Sequence, residues 1–329
     1  MTGIWMYVWL LVGFICLIKG SDFFVDGSSS VAKFLKVPSV IIGLTIVAMG
    51  TSAPETAVSI SAALKGANEI AVSNVVGSNF FNLLIVVGIC AVLQPISITK
   101  DLVARDFPVS IVTTILLLVS LIVGQIVVGK PSLNIVSGII MLAAFIVYIA
   151  ILINAARNKN EKDKPEGTEN IKCLSLPVSI ILIIIGLASI IIGGDLVVDC
   201  ASAIAKNFGM SNTLIGLTIV AIGTSLPEFV TSIVAAKKGE SDLALGNVIG
   251  SNIFNILFVL GVSSVLNNII VPFDSVIDTA LLIAVSLIVL FIILKTKNSI
   301  EKYSGIIMIF MYIVYTAYII GRSYGLIQF

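Results

Sequence analysis

Ten stretches of this chain, each roughly 20 residues long and nearly free of charge, constrain it more than any other feature, because an apolar helix of about that length crosses a ~30 Å hydrocarbon layer. They lie at about 3–19, 38–63, 70–93, 108–128, 133–153, 176–194, 213–236, 243–266, 275–294 and 303–320. Composition agrees: 58% of the 329 residues are hydrophobic and 11% charged, where soluble domains average roughly 45–50% and about 25%. A water-soluble globule is excluded, and an all-α, multi-pass membrane protein surrounded by a lipid bilayer is expected. Met1–Gly20 has no basic leader and no small-residue cleavage site, so it reads as the first span and not as a signal peptide.

The net charge of +1, from 19 Lys+Arg and 18 Asp+Glu, offers no basic field to nucleic acid. There is no histidine, which removes imidazole zinc sites, imidazole proton relays and Ser–His–Asp chemistry together. Cys16, Cys90, Cys173 and Cys200 have no metal-ligand spacing and read as small packing residues. No permanently bound cofactor and no protein partner is implied.

Lys and Arg set the expected orientation. With the N-terminus outside, the inward connections collect 15 of the 19 and leave outside only Lys65, Lys130, Lys206 and Arg322. That bias predicts a cell-membrane protein with both termini outside. A polar stretch at 154–173 reads as a cytoplasmic linker between a first five-helix unit, 1–153, and a second, 174–329.

The two units are copies. A shift of 173 residues lays 42–88 on 215–261 without gaps, 29 of 47 positions being identical, and upstream it lays Asp22 and Asp26 on Asp195 and Asp199. Five spans per copy is an odd number, so the second copy must enter the membrane from the opposite face. Ten transmembrane helices in two inverted-topology repeats are the architecture of alternating-access carriers, whose site lies at the midplane where the copies meet.

Two short motifs carry the chemistry. Gly50-Thr51-Ser52-Ala53-Pro54-Glu55 and Gly223-Thr224-Ser225-Leu226-Pro227-Glu228 fall in mid-span, where a charge costs about 2.5–3.5 kcal/mol on insertion scales. No Lys or Arg lies inside the four spans concerned, so two symmetry-related carboxylates await a cation. Pro54 and Pro227 deprive the carbonyls of Gly50 and Gly223 of their helical donors and kink or open the preceding turn. Thr51 and Ser52 lie one helical turn from Glu55, as Thr224 and Ser225 do from Glu228, so hydroxyls and carboxylate face the same way.

The spans that follow bring the complement. Asn74, Ser78 and Asn82 recur every four residues, as do Asn247, Ser251 and Asn255, giving each apolar helix one polar stripe. Gly77 and Gly250 permit close helix approach. The result is a cage of carboxylate, hydroxyl, amide and carbonyl oxygens without nitrogen or sulfur, an inventory suited to Ca²⁺ or Na⁺ and not to zinc, copper or iron. Small polar residues also serve plain interhelical packing, and a lone glutamate can be protonated and structural. The duplication of the whole constellation argues against that reading here. Asp22, Asp26, Asp195 and Asp199, near span ends, read as interfacial or structural, and Phe80, Phe81 and Phe254 as packing residues.

With these motifs the sequence resembles the cation/Ca²⁺ exchanger superfamily, in its sodium/calcium exchanger branch, over the whole ten-span layout. The resemblance implies an ion-binding core of spans 2, 3, 7 and 8, against which long tilted spans 1 and 6 slide. It implies Glu55 and Glu228 as shared Ca²⁺ and Na⁺ ligands, with Thr51 and Thr224 completing the calcium site through backbone oxygens. Ser52 and Ser78 with the Ala48 carbonyl would form one flanking sodium site, Ser225 and Ser251 with the Ala221 carbonyl the other, and Asn82 and Asn255 would line the middle. Three Na⁺ for one Ca²⁺ is the usual stoichiometry. Asn255 stands where some relatives, including potassium-dependent ones, have Asp, which argues against co-transported K⁺.

The leading expectation is therefore a Na⁺/Ca²⁺ antiporter, not an enzyme, with Ca²⁺ and Na⁺ as cargo. Competing readings are a Ca²⁺/H⁺ antiporter whose buried carboxylates carry protons, a potassium-dependent exchanger, a channel, and an intramembrane hydrolase. The last has no evident base for its serines.

Overall fold

The computed structural model describes residues 4–66, 68–158, 174–208, 221–296 and 299–323. It is built of helices, which we number α1 Ile4–Leu35, α2 Ser39–Thr51, α3 Ala53–Leu64, α4 Glu69–Leu93, α5 Leu102–Val128, α6 Ile135–Asn158, α7 Leu176–Asn207, α8 Ala221–Thr224, α9 Leu226–Lys237, α10 Ser241–Leu266, α11 Asp274–Lys295 and α12 Lys302–Ser323. Among the described residues eight helices are long and apolar enough to cross a membrane, and α2 with α3, bent by 50°, makes a ninth span. The expected span at 213–236 lies partly outside the described residues and continues in α8 and α9.

Two expected boundaries are corrected. The first span does not stop at 19 but runs 32 residues to Leu35, and the sixth does not stop at 194 but runs 32 residues to Asn207. Hydropathy loses the first at Lys19, Asp22 and Asp26. The helix continues because its polar residues there, Ser21, Ser28, Ser29 and Ser30, are buried against protein. These two long helices pack along each other in opposite directions. A Cβ at Gly13 would stand 3.0 Å from the Gly193 carbonyl oxygen, one at Gly20 2.9 Å from that of Gly186, and one at Gly27 2.7 Å from that of Ser179. Backbones can come this close only where side chains are missing.

Burial ranks the spans by role. The most hydropathic stretch of α4 is 78% buried within the protein and that of α10 83%, whereas the other long helices range from 17% to 33%. α4 and α10 are thus the inner pair, although they carry the polar stripes. The outer helices show large aliphatic and aromatic side chains such as Ile126 and Phe291 on the surface, as lipid contact requires. Phe80 is fully buried and stacks on Tyr315 with ring centroids 3.8 Å apart, and Phe81 and Phe254 also pack among aromatic rings, as expected.

The connections repeat as the sequence does. Gly66 and Gly239, 173 positions apart, both take positive φ, 73° and 80°, and release the chain after α3 and α9. Two short antiparallel ladders cross-link the halves: Ile96 pairs with Ile300 and Ser97 with Ser299, while Ser132 pairs with Ile270 and Leu133 with Ile269. α10 spans between two distinct ends. At its start Glu240 lies beside Ser39 and Lys33, and beyond its far end the Asn267 amide donates to the Ala63 carbonyl at 2.7 Å.

Candidate cation-binding site

Each mid-span glutamate sits in the first turn of a helix that begins at a break. The break residues match: Ser52 has φ −81°, ψ 13°, and Ser225 φ −90°, ψ 5°. Pro54 and Pro227 follow in the opening turn, where a missing N–H costs nothing, so the kink expected at each proline takes the form of a break and a restart, with a 50° bend between α2 and α3. Glu55 and Glu228 therefore stand at helix N-termini, whose unpaired amides favour negative charge. Both are fully buried, and neither forms an ion pair among the described residues.

The carboxylates are held from the opposite half. Ser52 Oγ donates to Glu228 Oε1 at 2.7 Å, and Ser225 Oγ donates to Glu55 Oε1 at 2.9 Å. Ser78 Oγ lies 3.4 Å from Glu55 Oε1 and 2.9 Å from Ser225 Oγ, while Ser251 Oγ lies 3.4 Å from Glu228 Oε1 and 3.5 Å from the Ala48 carbonyl. This corrects the expected grouping of Ser52 with Ser78 and of Ser225 with Ser251. Ser78 gathers with Ser225 and Glu55, and Ser52 with Ser251, Glu228 and the Ala48 carbonyl. The break turns Ser52 and Ser225 across the boundary between the halves, while each polar stripe stays on the glutamate of its own half. Ala221 opens α8, where its main chain is continuous with Thr224 and Ser225.

Asn74 and Asn247 brace these turns. Thr51 Oγ1 donates to Asn247 Oδ1 at 3.0 Å and Thr224 Oγ1 to Asn74 Oδ1 at 3.4 Å. The same amides donate to Ser59 Oγ at 3.0 Å and Ser232 Oγ at 2.9 Å, and each lies 3.4 Å from the main-chain carbonyl of its glutamate. Gly250 admits α2 closely, a Cβ there falling 2.7 Å from the Leu44 Cα. Among the described residues nothing lies within 4 Å of a Cβ placed at Gly77.

Asn79 and Asn252, not singled out from the sequence, join the halves at the centre. Asn79 Nδ2 donates to the Asn252 carbonyl at 3.1 Å, and Asn252 Nδ2 to the Asn79 carbonyl at 3.3 Å. Their side-chain oxygens then accept from the middle amides, Asn79 Oδ1 from Asn255 Nδ2 at 3.2 Å and Asn252 Oδ1 from Asn82 Nδ2 at 3.3 Å. The helix widens into a π turn starting at Asn82 and again at Asn255, a local geometry frequent at functional sites. The signal available in the sequence was the Gly-Ser-Asn triplet at both copies.

What these hydrogen bonds leave over is decisive for the chemistry. Glu55 Oε2, Glu228 Oε2, Asn82 Oδ1 and Asn255 Oδ1 are buried and have no hydrogen-bond donor among the described residues. An orphaned buried polar atom costs about 1–3 kcal/mol. Four of them, one acid and one amide from each half and all oxygens, the glutamates at the two breaks and the asparagines on α4 and α10, make a ligand set for a hard cation.

A family model described as Sodium/calcium exchanger protein matches residues 5–154 and 178–321. The chain is 34% identical over 336 residues to the sodium/calcium exchanger MaX1 of Methanosarcina acetivorans, covering 93% of this chain and 96% of that protein. It is 35% identical over 262 residues to the inner membrane protein YrbG of Escherichia coli K12, covering 78% of each. A structure of the sodium-calcium exchanger NCX_Mj soaked with 2.5 mM Na⁺ and 0.1 mM Ca²⁺ superposes with a TM-score of 0.81 at 32% identity, over 96% of this chain and 99% of that one.

Proposed function

The chain belongs to the sodium/calcium exchanger family, and from that premise we propose that it is an antiporter exchanging Na⁺ for Ca²⁺ through the cage between Glu55 and Glu228. Ten transmembrane helices form two inverted five-helix repeats, 1–153 and 174–329, with both termini outside, and the linker expected at 154–173 starts in the last turns of α6, which runs to Asn158. The contact of the α10 start with Lys33 and Ser39, and of its far end with Ala63, supports opposite insertion of the two halves.

The four orphaned oxygens carry this reading. Two ionised glutamates sum to −2, which one Ca²⁺ neutralises, and Ca²⁺ takes six to eight oxygens at about 2.3–2.6 Å. Glu55 Oε2 and Glu228 Oε2 are the first of these, Asn82 Oδ1 and Asn255 Oδ1 line the middle, and the hydroxyls and freed carbonyls at Thr51 and Thr224 fill the shell. Sodium ions use the same oxygens in smaller sets: Ser52, Ser251 and the Ala48 carbonyl with Glu228 on one side, Ser225, Ser78 and the Ala221 carbonyl with Glu55 on the other. An empty cage leaves −2 in a low-dielectric layer, so the loaded forms cross most easily. Competition for one anionic cage is thereby exchange, with no covalent chemistry.

Asn79 and Asn252 are positioning residues in this scheme. By taking the amide N–H of Asn255 and Asn82 they turn the oxygen ends of those side chains toward the ion. Calcium uptake into everted vesicles tests the function: it is expected to require a sodium gradient, and uptake that follows only a pH gradient overturns sodium coupling in favour of Ca²⁺/H⁺ exchange.

A further inference from the structure

The two copies are alike in sequence but not in how their helices pack. The shift of 173 lays Lys65 on Lys238, Asp22 on Asp195 and Asp26 on Asp199. At the end of α9, Lys238 closes on α1: its Nζ is 2.7 Å from Asp26 Oδ1 and 3.4 Å from Asp22 Oδ1, and it donates to the Asp22 carbonyl at 3.0 Å. α1 packs along α9 beside this ion pair, with Ser21 Oγ 3.2 Å from Thr231 Oγ1. In the other copy Lys65, Asp195 and Asp199 are exposed and make no ion pair among the described residues. α7 does not pack along α3 there, and Pro54, Val58 and Ser61 are only half-buried where Pro227, Thr231 and Val234 are buried.

We propose that Lys65 with Asp195 and Asp199 is the second of two alternating clamps, and that transport exchanges one for the other. When α1 leaves α9, Lys238 releases Asp26 and Asp22; on the opposite face α7 settles on α3 and Lys65 takes Asp199 and Asp195. The proposal rests on the exchange reading of the cage. Repeated halves of opposite orientation can trade arrangements at little net cost, since the packing given up on one side is recovered on the other. Both acid pairs have the spacing a single lysine can bridge, because Asp22 and Asp26, like Asp195 and Asp199, stand four residues apart on one helix face. The closed clamp is also of the right strength. With Lys238 29%, Asp22 30% and Asp26 49% exposed, such a pair is weak, enough to bias a state and too little to lock it. Lys238 directly follows the short helix that presents Glu228, and Lys65 the one that presents Glu55. Each clamp thus bears on the helix that presents one glutamate, at opposite ends of α10.

Paired cysteines in a protein whose four native cysteines are replaced test this, with monodisperse elution as the check on folding. Asp26→Cys with Lys238→Cys, and Lys65→Cys with Asp199→Cys, are each expected to cross-link through a reducible bis-thiosulfonate reagent long enough to replace a lysine–aspartate contact, since a direct disulfide needs closer backbones than an ion pair does. Each cross-link should abolish calcium flux until reductant is added. In the four-cysteine protein, forming one bridge should prevent the other. Failure of the Lys65→Cys/Asp199→Cys pair to cross-link under any ion condition, or both bridges forming in one molecule, overturns the clamp. Because exclusivity is read from gel mobility and not flux, it stands apart from failure of sodium coupling in the parent protein. Charge exchange gives a second route: Lys65→Asp should lower flux several-fold yet retain calcium binding, and adding Asp199→Lys should restore the flux. A double variant as slow as the single one contradicts the pairing.

Discussion

Glu55 and Glu228 differ from every other acid in the described chain by combining full burial, an unpartnered oxygen and no cationic neighbour. Replacing either by Gln keeps the shape and removes the charge. Glu55→Gln and Glu228→Gln are each expected to lower calcium transport at least about 100-fold, ~2.8 kcal/mol at a tenfold per 1.4 kcal/mol, with an unchanged elution profile. Near-normal flux in either would remove that residue from the cage. Asn79→Leu and Asn252→Leu free the middle amides to turn, so the calcium KM should rise about tenfold, close to the ~1 kcal/mol of one hydrogen bond, with kcat less affected. A fall in kcat at constant KM would assign these asparagines elsewhere. The acids, the break prolines and the polar stripes were legible from spacing alone, since i, i+4 relations fix one face of a helix. The crossing of Ser52 to Glu228 and of Ser225 to Glu55 was not, because spacing within a helix says nothing about which helix faces it.

At the scale of the element, apolar runs located the helices but misjudged their lengths wherever a polar face is buried in protein instead of ending at water. α1 and α7 are the clear cases, and their close pairing depends on glycine. Gly20→Leu would drive a side chain into the Gly186 carbonyl region, 2.9 Å from even its Cβ. It should destabilise the protein by roughly 1–3 kcal/mol, as overpacking does, read as a lower melting temperature in detergent; an unchanged melt would mean the pair separates freely. Glu240, just before α10, gives a pH signature. Burial pushes its carboxyl above the ordinary range, with the Ser39 hydroxyl and the Lys33 charge drawing it partly back. A carboxyl that protonates more readily folded than unfolded contributes stability below its unfolded pKa, and that contribution is lost as pH rises through the folded value. Glu240→Gln should therefore melt higher than the parent protein at neutral pH, with the difference shrinking on acidification. A lower melt at neutral pH would show the charge to be favourable.

Across the whole molecule, the doubled sequence accounts for the doubled site. The closed Lys238 side against the open Lys65 side belongs to a conformation, and so could not be written in a repeat. Exchange follows if the two ion species need the same oxygens. Calorimetric titration of Ca²⁺ into the purified protein, at sodium concentrations from none upward, tests that need most directly. The expected result is one saturable calcium per chain, displaced steeply by sodium and absent in Glu228→Gln. Calcium binding indifferent to sodium, or retained in that variant, would contradict a shared cage.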